Sequence, residues 1–155
     1  MTEDIRLREV EDGDIHVFFE QQLDPVATHM AGFPSRGEDE FHSHWHRVRT
    51  NENNILRTIL FKRKVSGSIV SWEQDGKRQI GYWIGRKFWG KGIASRALAQ
   101  FLVVVKVRPL YAYVAIHNPA SIRVLVKNGF TTSAEDSQFD STTNEKTEEV
   151  LFQLI

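Results

Sequence analysis

Residues 79–105, QIGYWIGRKFWGKGIASRALAQFLVVV, constrain this chain most. A short apolar run, Gln79–Gly85, meets a basic, glycine-containing turn, Arg86–Gly92. Ala94, Ala97, Leu98, Phe101, Leu102 and Val105 then recur at helical spacing. A strand, a turn and a helix in that order aim the first backbone N–H groups of the helix into the turn. Together with the positive end of the helix dipole they form a site for a phosphate or pyrophosphate. Gly90 and Gly92 lack a Cβ, so a ligand can approach the main chain closely there, and Arg86, Lys87 and Lys91 add positive charge. The stretch predicts an anion-binding turn.

Three ligand classes use such a turn. Gly85–Lys91 fits the G-x-x-x-x-G-K half of a nucleoside-triphosphate loop, but Gly92 follows where that loop needs a Ser or Thr hydroxyl for Mg²⁺. Phe88 and Trp89 are also bulky for a loop wrapped tightly on phosphate. The dinucleotide fingerprint would need a third glycine at Ser95 and an acid about twenty positions on, where Leu110 and Tyr111 stand. Trp89-Gly90-Lys91-Gly92-Ile93-Ala94 instead resembles the coenzyme A pyrophosphate loop of the GNAT superfamily of acyl-CoA N-acyltransferases, Gln/Arg-x-x-Gly-x-Gly/Ala. The departure is Trp89 in place of Gln or Arg. With Gly81-Tyr82-Trp83-Ile84 upstream, it is similar to the branch containing the ribosomal-protein alanine N-acetyltransferases, the Rim type.

At 155 residues the chain is expected to form one domain, 1–155, with a substantial core. Lys plus Arg equals Asp plus Glu at 20 each, so no global charge points to nucleic acid or a membrane surface. The absence of cysteine excludes disulfides, zinc–thiolate sites and thiol catalysis. No apolar run reaches the ~20 residues that span a bilayer, and MTEDIRLREV lacks the plan of a secretory signal. The expectation is a soluble cytoplasmic protein, a monomer or homodimer.

Ile5, Leu7 and Val10 predict a first strand, and Asp12 or Asp14 a cap for a helix carrying Ile15, Phe18, Phe19 and Leu23. Between Asp24 and Thr50 only a second helix at Glu38–Val48 is legible. His42, His44 and His46 there are spaced two apart, which on a helix does not gather metal ligands. Ile55–Phe61 and Val65–Trp72 are expected strands, and Asp75-Gly76 suits a type I′ turn into the strand at Gln79. After the central helix comes the β-prone run Leu110–Ile116, which a right-handed crossover makes parallel to its predecessor. Asn118 and Pro119 open a further helix that Gly129 ends; Phe130 begins a strand, Thr131–Glu148 is polar, and Val150–Ile155 closes the chain.

That order is similar to the GNAT fold, which implies an α/β architecture: a mixed sheet of about seven strands flanked by helices, splayed between the fourth and fifth. Asn118-x-x-Ser121 followed by Lys127-Asn128-Gly129-Phe130 resembles the family's later motif. The resemblance implies acetyl-CoA as co-substrate, no metal, and direct attack by a primary amine in a ternary complex. The amine would be a peptide N-terminus or a small molecule. It assigns the pyrophosphate to the backbone of Trp89, Gly90, Lys91, Gly92, Ile93, Ala94 and Ser95, and the pantetheine arm to Trp83 and Ile84. Asn118 suits a helix cap, and the resemblance also makes it a cofactor contact; the two roles are compatible. The tyrosine that many members use to protonate the leaving thiolate falls at Leu125 here, and the Rim-type alternative is Ser121. No base is assigned: Gln79 stands where relatives carry Glu, and Glu73 and His117 are the other candidates. Tyr82 and Trp83 alternate faces, one expected in the cleft and one in the core. Two readings from other classes remain: a non-catalytic acyl-CoA-binding sensor or interaction domain, and a nucleotide-phosphate enzyme built on Gly85–Lys91.

Overall fold

The computed structural model describes residues 4–32, 34–133, 138–139 and 148–155. In chain order the elements are β1 (Ile5–Arg8), α1 (Asp12–Gln22), α2 (Pro25–Ala31), α3 (Glu38–Thr50), β2 (Ile55–Phe61), β3 (Lys64–Gln74) and β4 (Lys77–Ile84). A 3₁₀ turn, Arg86–Phe88, leads to α4 (Ile93–Val104), β5 (Leu110–Ala115), α5 (Pro119–Lys127), β6 (Thr131–Thr132), β7 (Gln138–Phe139) and β8 (Glu148–Leu154). The strands form one mixed sheet in the order β1-β2-β3-β4-β5-β8-β6, with β7 also paired to β8. The expected seven-strand path is present, and β7 adds an eighth short strand.

Two hairpins set β2, β3 and β4 antiparallel. Asp75 and Gly76 turn with φ of 53° and 75°, the left-handed pair that a type I′ turn requires. Lys62 and Arg63 adopt the same conformation without a glycine, at φ 49° and 70°. The crossover through α4 makes β5 parallel to β4, as its handedness demands.

The helices cover both faces. Ile80, Tyr82 and Ile84 of β4 and Leu110, Ala112 and Val114 of β5 point to the α4/α5 side, where Leu98, Phe101 and Leu125 complete the main core. On the other side Ile15, Phe18, Phe41 and Trp45 join α1 to α3, with Val65 and Val70 of β3 beneath them.

The first half of the chain departs from expectation in two places. The cap of α1 is Glu11, not Asp12 or Asp14: Asp14 sits at the third helical position and accepts the Glu11 N–H at 2.8 Å. Asp14 is free for this because Arg8, from the adjoining strand, binds its carboxylate twice at 2.7 and 2.9 Å. A third helix, α2, lies in the stretch that showed no pattern. Its seven residues are too few for a periodic stripe, but Asp24 caps it and Pro25 opens it. Further along, β6 starts at Thr131, after a buried Phe130, and β8 at Glu148, two residues earlier than expected. The rest of the polar Thr131–Glu148 stretch lies largely outside the described residues.

Candidate functional site

The two parallel central strands pair only at Arg78–Leu110 and Gln79–Tyr111. Beyond that point β4 stays paired with β3 as far as Ile84, and β5 with β8 as far as Ala115. The two strands therefore separate toward their C-terminal ends. The gap opens a cleft of about 1070 Å³ that runs to the N-terminus of α4. That volume is at the upper end of ordinary small-molecule sites.

At the end next to α4, Trp89, Gly90, Gly92, Ile93, Ala94 and Ser95 line the cleft. Gly92 is the cap residue of α4, in left-handed conformation at φ 73° with no side-chain hydrogen bond to the helix, and no acid occupies the first turn. The first N–H groups of a helix have no partner within it, so α4 presents them and its dipole uncompensated to the cleft. By contrast, α2 has its first amides bound by Asp24. Among the described residues, no atom beyond the immediate chain neighbours lies within 4 Å of where a Cβ on Gly90 or Gly92 would stand, so the space in front of both is open. The turn itself is braced: Trp89 Nε1 donates to the Ile84 carbonyl at 2.8 Å, and Asn128 Nδ2 ties the end of α5 to Ser95 O and Oγ at 3.2 and 3.3 Å. Lys91 does not line the cleft. It faces a separate concavity of about 300 Å³ shared with Lys62, Lys64 and Lys87. Arg86 pairs with Asp24 at 3.4 Å.

Deeper in the gap, the Tyr82 hydroxyl reaches from β4 to α5 and meets Ser121 Oγ at 2.6 Å. Burial pushes the Tyr82 phenol up to about 12, against a smaller opposing pull from the Ser121 hydrogen bond. Ser121 is placed by Asn118, whose Oδ1 accepts the Ser121 N–H at 3.2 Å as the cap of α5. Leu125, where the family's usual tyrosine would sit, is 1% exposed in the core. A phenol is still present near Ser121, on another element. Its only sequence signal was the strand alternation of Tyr82 and Trp83, and both in fact line the cleft, from opposite faces of β4.

On the opposite face of the sheet the cleft is bounded by Trp72, Gln79, Trp83, Tyr113 and Glu149, with Met30 of α2 above them. The Trp83 carbonyl is turned to β3, where a Cβ on Gly67 would stand 1.9 Å from it. Gln79 is buried. Glu73 is exposed beyond the cleft lining, and His117 is also outside it, with Nε2 donating to the His29 carbonyl at 2.6 Å. His42, His44 and His46 ride on α3, and among the described residues no group of three or more His, Asp or Glu is placed to hold a metal. No helix among these residues is long and apolar enough to cross a membrane.

A profile of the "Acetyltransferase (GNAT) domain" family matches residues 4–131. The chain belongs to the GNAT acetyltransferase family. The donor is accordingly acetyl-CoA, and the activity transfer of its acetyl group to an amine. A search of curated protein sequences gave no match. Among solved structures, the spermidine N-acetyltransferase of Vibrio cholerae in complex with CoA and spermine superposes with a TM-score of 0.81. It is 16% identical, over 99% of this chain and 95% of that one. RimL, the ribosomal L7/L12 α-N-protein acetyltransferase in complex with coenzyme A, gives 0.81 at 17% identity over 98% and 94% of the two chains. The microcin C7 self-immunity acetyltransferase MccE, in complex with acetyl-CoA and AMP, gives 0.78 at 15% over 98% and 92%. At these identities the likeness is one of fold. The mixed α/β sheet with its parallel β4–β5 pair is the fold of these GNAT enzymes.

Proposed function

We propose that residues 1–155 act as one N-acetyltransferase domain of the Rim-like branch, acetylating a peptide α-amine or a comparable small-molecule primary amine by direct attack. The observation that carries this reading is the gap between β4 and β5. It joins an uncompensated helix N-terminus, suited to a pyrophosphate, to a hydroxyl pair at its base. The backbone of Gly90 to Ser95 would hold the pyrophosphate. The β4 edge from Gly81 to Ile84, released from β5, would offer main-chain partners to the pantetheine arm. The acetyl thioester then lies between the two faces of the sheet, within reach of an amine from the Trp72–Trp83 side.

The leaving thiolate needs a hydrogen-bond donor as charge builds on sulfur. Ser121 fills that role, its hydroxyl oriented by Tyr82 and its position fixed by Asn118. Tyr82 keeps its proton throughout. A phenol near 12 is a weaker acid than a thiol, which ionises at about 8.5, so full transfer from Tyr82 to a thiolate runs uphill. The hydroxyl pair therefore stabilises charge and lets the final proton reach the thiolate through Ser121 from the newly acylated nitrogen or from solvent.

A panel of amines tests the proposal: N-terminal peptides of varied sequence, polyamines and amino acids, with free thiol released from acetyl-CoA as the readout. Turnover with any of them supports the enzyme, and preference for α-amines supports the Rim-like placement. Saturable CoA binding with no acetylation of any amine would instead identify a sensor domain. Mg²⁺-dependent ATP binding without CoA binding would overturn the assignment of the turn.

A further inference from the structure

The proposed reaction leaves one group unnamed, the acceptor of the amine proton. We infer that Glu149 is that base, an inference that rests on the N-acetyltransferase reading. The register of the sheet carries it. Side chains alternate along a strand, so residues two apart share a face. On β5, Leu110, Ala112 and Val114 face the α4/α5 core, which puts Tyr111, Tyr113 and Ala115 on the other side. Glu149 of β8 lies directly opposite Ala115 in the antiparallel ladder and so shares that second face. On β4 the same count places Gln79, Gly81 and Trp83 there, whereas Tyr82 points to the α5 side. Glu149 lines the cleft on the amine side, and the Ser121–Tyr82 pair lines it on the other.

Acyl transfer from a thioester to an amine needs this separation. The amine attacks one face of the carbonyl while the thiolate leaves from elsewhere, so base and thiolate donor belong on opposite sides. Among the described residues Asp75 is the other carboxylate on the cleft wall, but it sits exposed in the β3–β4 hairpin turn, beyond the level where β4 and β5 are still paired. Glu149 lies where they have parted. Among the described residues the other titratable groups near this face are Tyr111 and Tyr113 of β5, Lys77 of β4, whose ammonium lies 5.8 Å from the centre of the Tyr111 ring, His117 after β5, and His29 of the overlying α2. His117 is turned to the His29 carbonyl.

An ammonium entering the cleft gives one proton to the Glu149 carboxylate. The freed nitrogen lone pair forms the N–C bond at the thioester carbonyl. The C–S bond then breaks, and its electron pair leaves on sulfur. The second nitrogen proton ends on that sulfur through the Ser121 hydroxyl or solvent, and Glu149 returns its proton to bulk. Amide, CoA thiol and one proton result.

The test compares wild type with Glu149→Gln, which keeps size and hydrogen-bonding capacity, and with Glu149→Asp. At pH 7.5 roughly a quarter of a peptide α-amine is already neutral, against about one part in a thousand of a lysine-type amine. Glu149→Gln should cut kcat/KM at least ~100-fold for the alkylammonium and ~10-fold or less for the α-amine. Raising the pH toward 10 should close the gap, because the amine then arrives without its proton. Where only one amine class is accepted, the pH arm alone decides. The KM for acetyl-CoA and the melting temperature should hold, and Glu149→Asp should recover part of the rate. A Glu149→Gln enzyme as fast as wild type, or slowed equally at every pH, overturns the inference and leaves the proposed function standing. A wild type that binds acetyl-CoA and acetylates nothing refutes both.

Discussion

Removing the Ser121 hydroxyl separates structure from chemistry. Ser121→Ala keeps the Asn118 cap, because that bond uses the Ser121 backbone N–H. It deletes one 2.6 Å hydrogen bond, so stability should fall by about 1 kcal/mol. If Ser121 donates to the departing thiolate, kcat should fall tenfold or more, and the KM for acetyl-CoA should stay put because the lost interaction is made mainly in the transition state. Tyr82→Phe leaves the ring and removes the other half of the pair. It should lower kcat about tenfold, or ~1.4 kcal/mol, by freeing the Ser121 rotor. Transfer of a proton from Tyr82 to the thiolate would cost about 5 kcal/mol against a thiol near 8.5, so no alkaline limb from Tyr82 should appear in the activity profile below pH ~11. The two changes act on one hydrogen-bonded unit, so the double variant should be no slower than Ser121→Ala alone. Steady-state kinetics beside thermal melts decide it. Additive losses, or Ser121→Ala at the wild-type rate, would refute the coupling. Linkage gives a further check: the phenol ionises near 10 unfolded and about 12 folded, so its contribution is complete below pH 10 and lost as pH rises through 12. The tyrosinate absorbance step near pH 12 should be missing in Tyr82→Phe.

Two further predictions concern the turn and the buried ion pair. Gly92→Val should raise the KM for acetyl-CoA at least tenfold, because φ 73° is strained for a β-branched residue and its Cβ would enter the open space before the α4 amides; a folded variant with normal CoA affinity removes the turn from the site. Asp14→Asn should cost about 2–3 kcal/mol by melting, since it takes the counter-charge from the partly buried Arg8 and weakens the acceptor of the 2.7 Å Thr58 bond. Burial tends to raise the Asp14 carboxyl, but the hydrogen bonds from Arg8, Glu11 and Thr58 outweigh it and hold the carboxyl below 3.8. Its contribution is therefore present above pH ~4 and lost on further acidification, and the variant should have a flatter acid limb.

The sequence is most legible where local physics and tertiary structure agree. Asp75-Gly76 dictates its hairpin, Asn118-Pro119 its helix start, and Gly92 its left-handed cap, because each needs a backbone conformation that few residues tolerate. The sequence points to the wrong cap for α1 because Asp14 is a good cap in isolation, and only the fold brings Arg8 and Thr58 to claim it. Lys62 and Arg63 turn without a glycine, so the β2–β3 turn was visible only as polarity between two apolar runs. The site divides similarly. The helix N-terminus can be read from glycine spacing, whereas the Tyr82–Ser121 pair joins residues 39 apart in sequence and needs the crossover to exist. Glu149 is hidden because it falls between a polar stretch that ends at Glu148 and an apolar run that begins at Val150, and β8 is strand there only through its pairing with β5 and β7.

The gap itself has a local cause, and Gly67→Ala tests it. A Cβ at Gly67 would lie 1.9 Å from the Trp83 carbonyl oxygen, 2.9 Å from its carbon and 3.0 Å from Ile84 Cα. All three are backbone atoms, so nothing can swing aside. β3 thus draws the end of β4 close, and Gly85 N–H extends the attachment to Ser66 O at 2.8 Å. The β4 terminus is held to β3 just where the cleft requires it to leave β5. Forcing a methyl group between the strands should cost about 3 kcal/mol and push β4 back across the gap, weakening acetyl-CoA affinity along with stability. Gly81→Ala is the matched control. Its Cβ would meet the Trp72 indole at 3.1 and 3.3 Å, a side chain that can tilt, on the amine side of the sheet. That variant should raise the KM for the amine and leave acetyl-CoA binding near normal. Melts and CoA titrations on both variants decide it. If Gly67→Ala kept wild-type stability and affinity, the close approach of β3 could not be what parts β4 from β5.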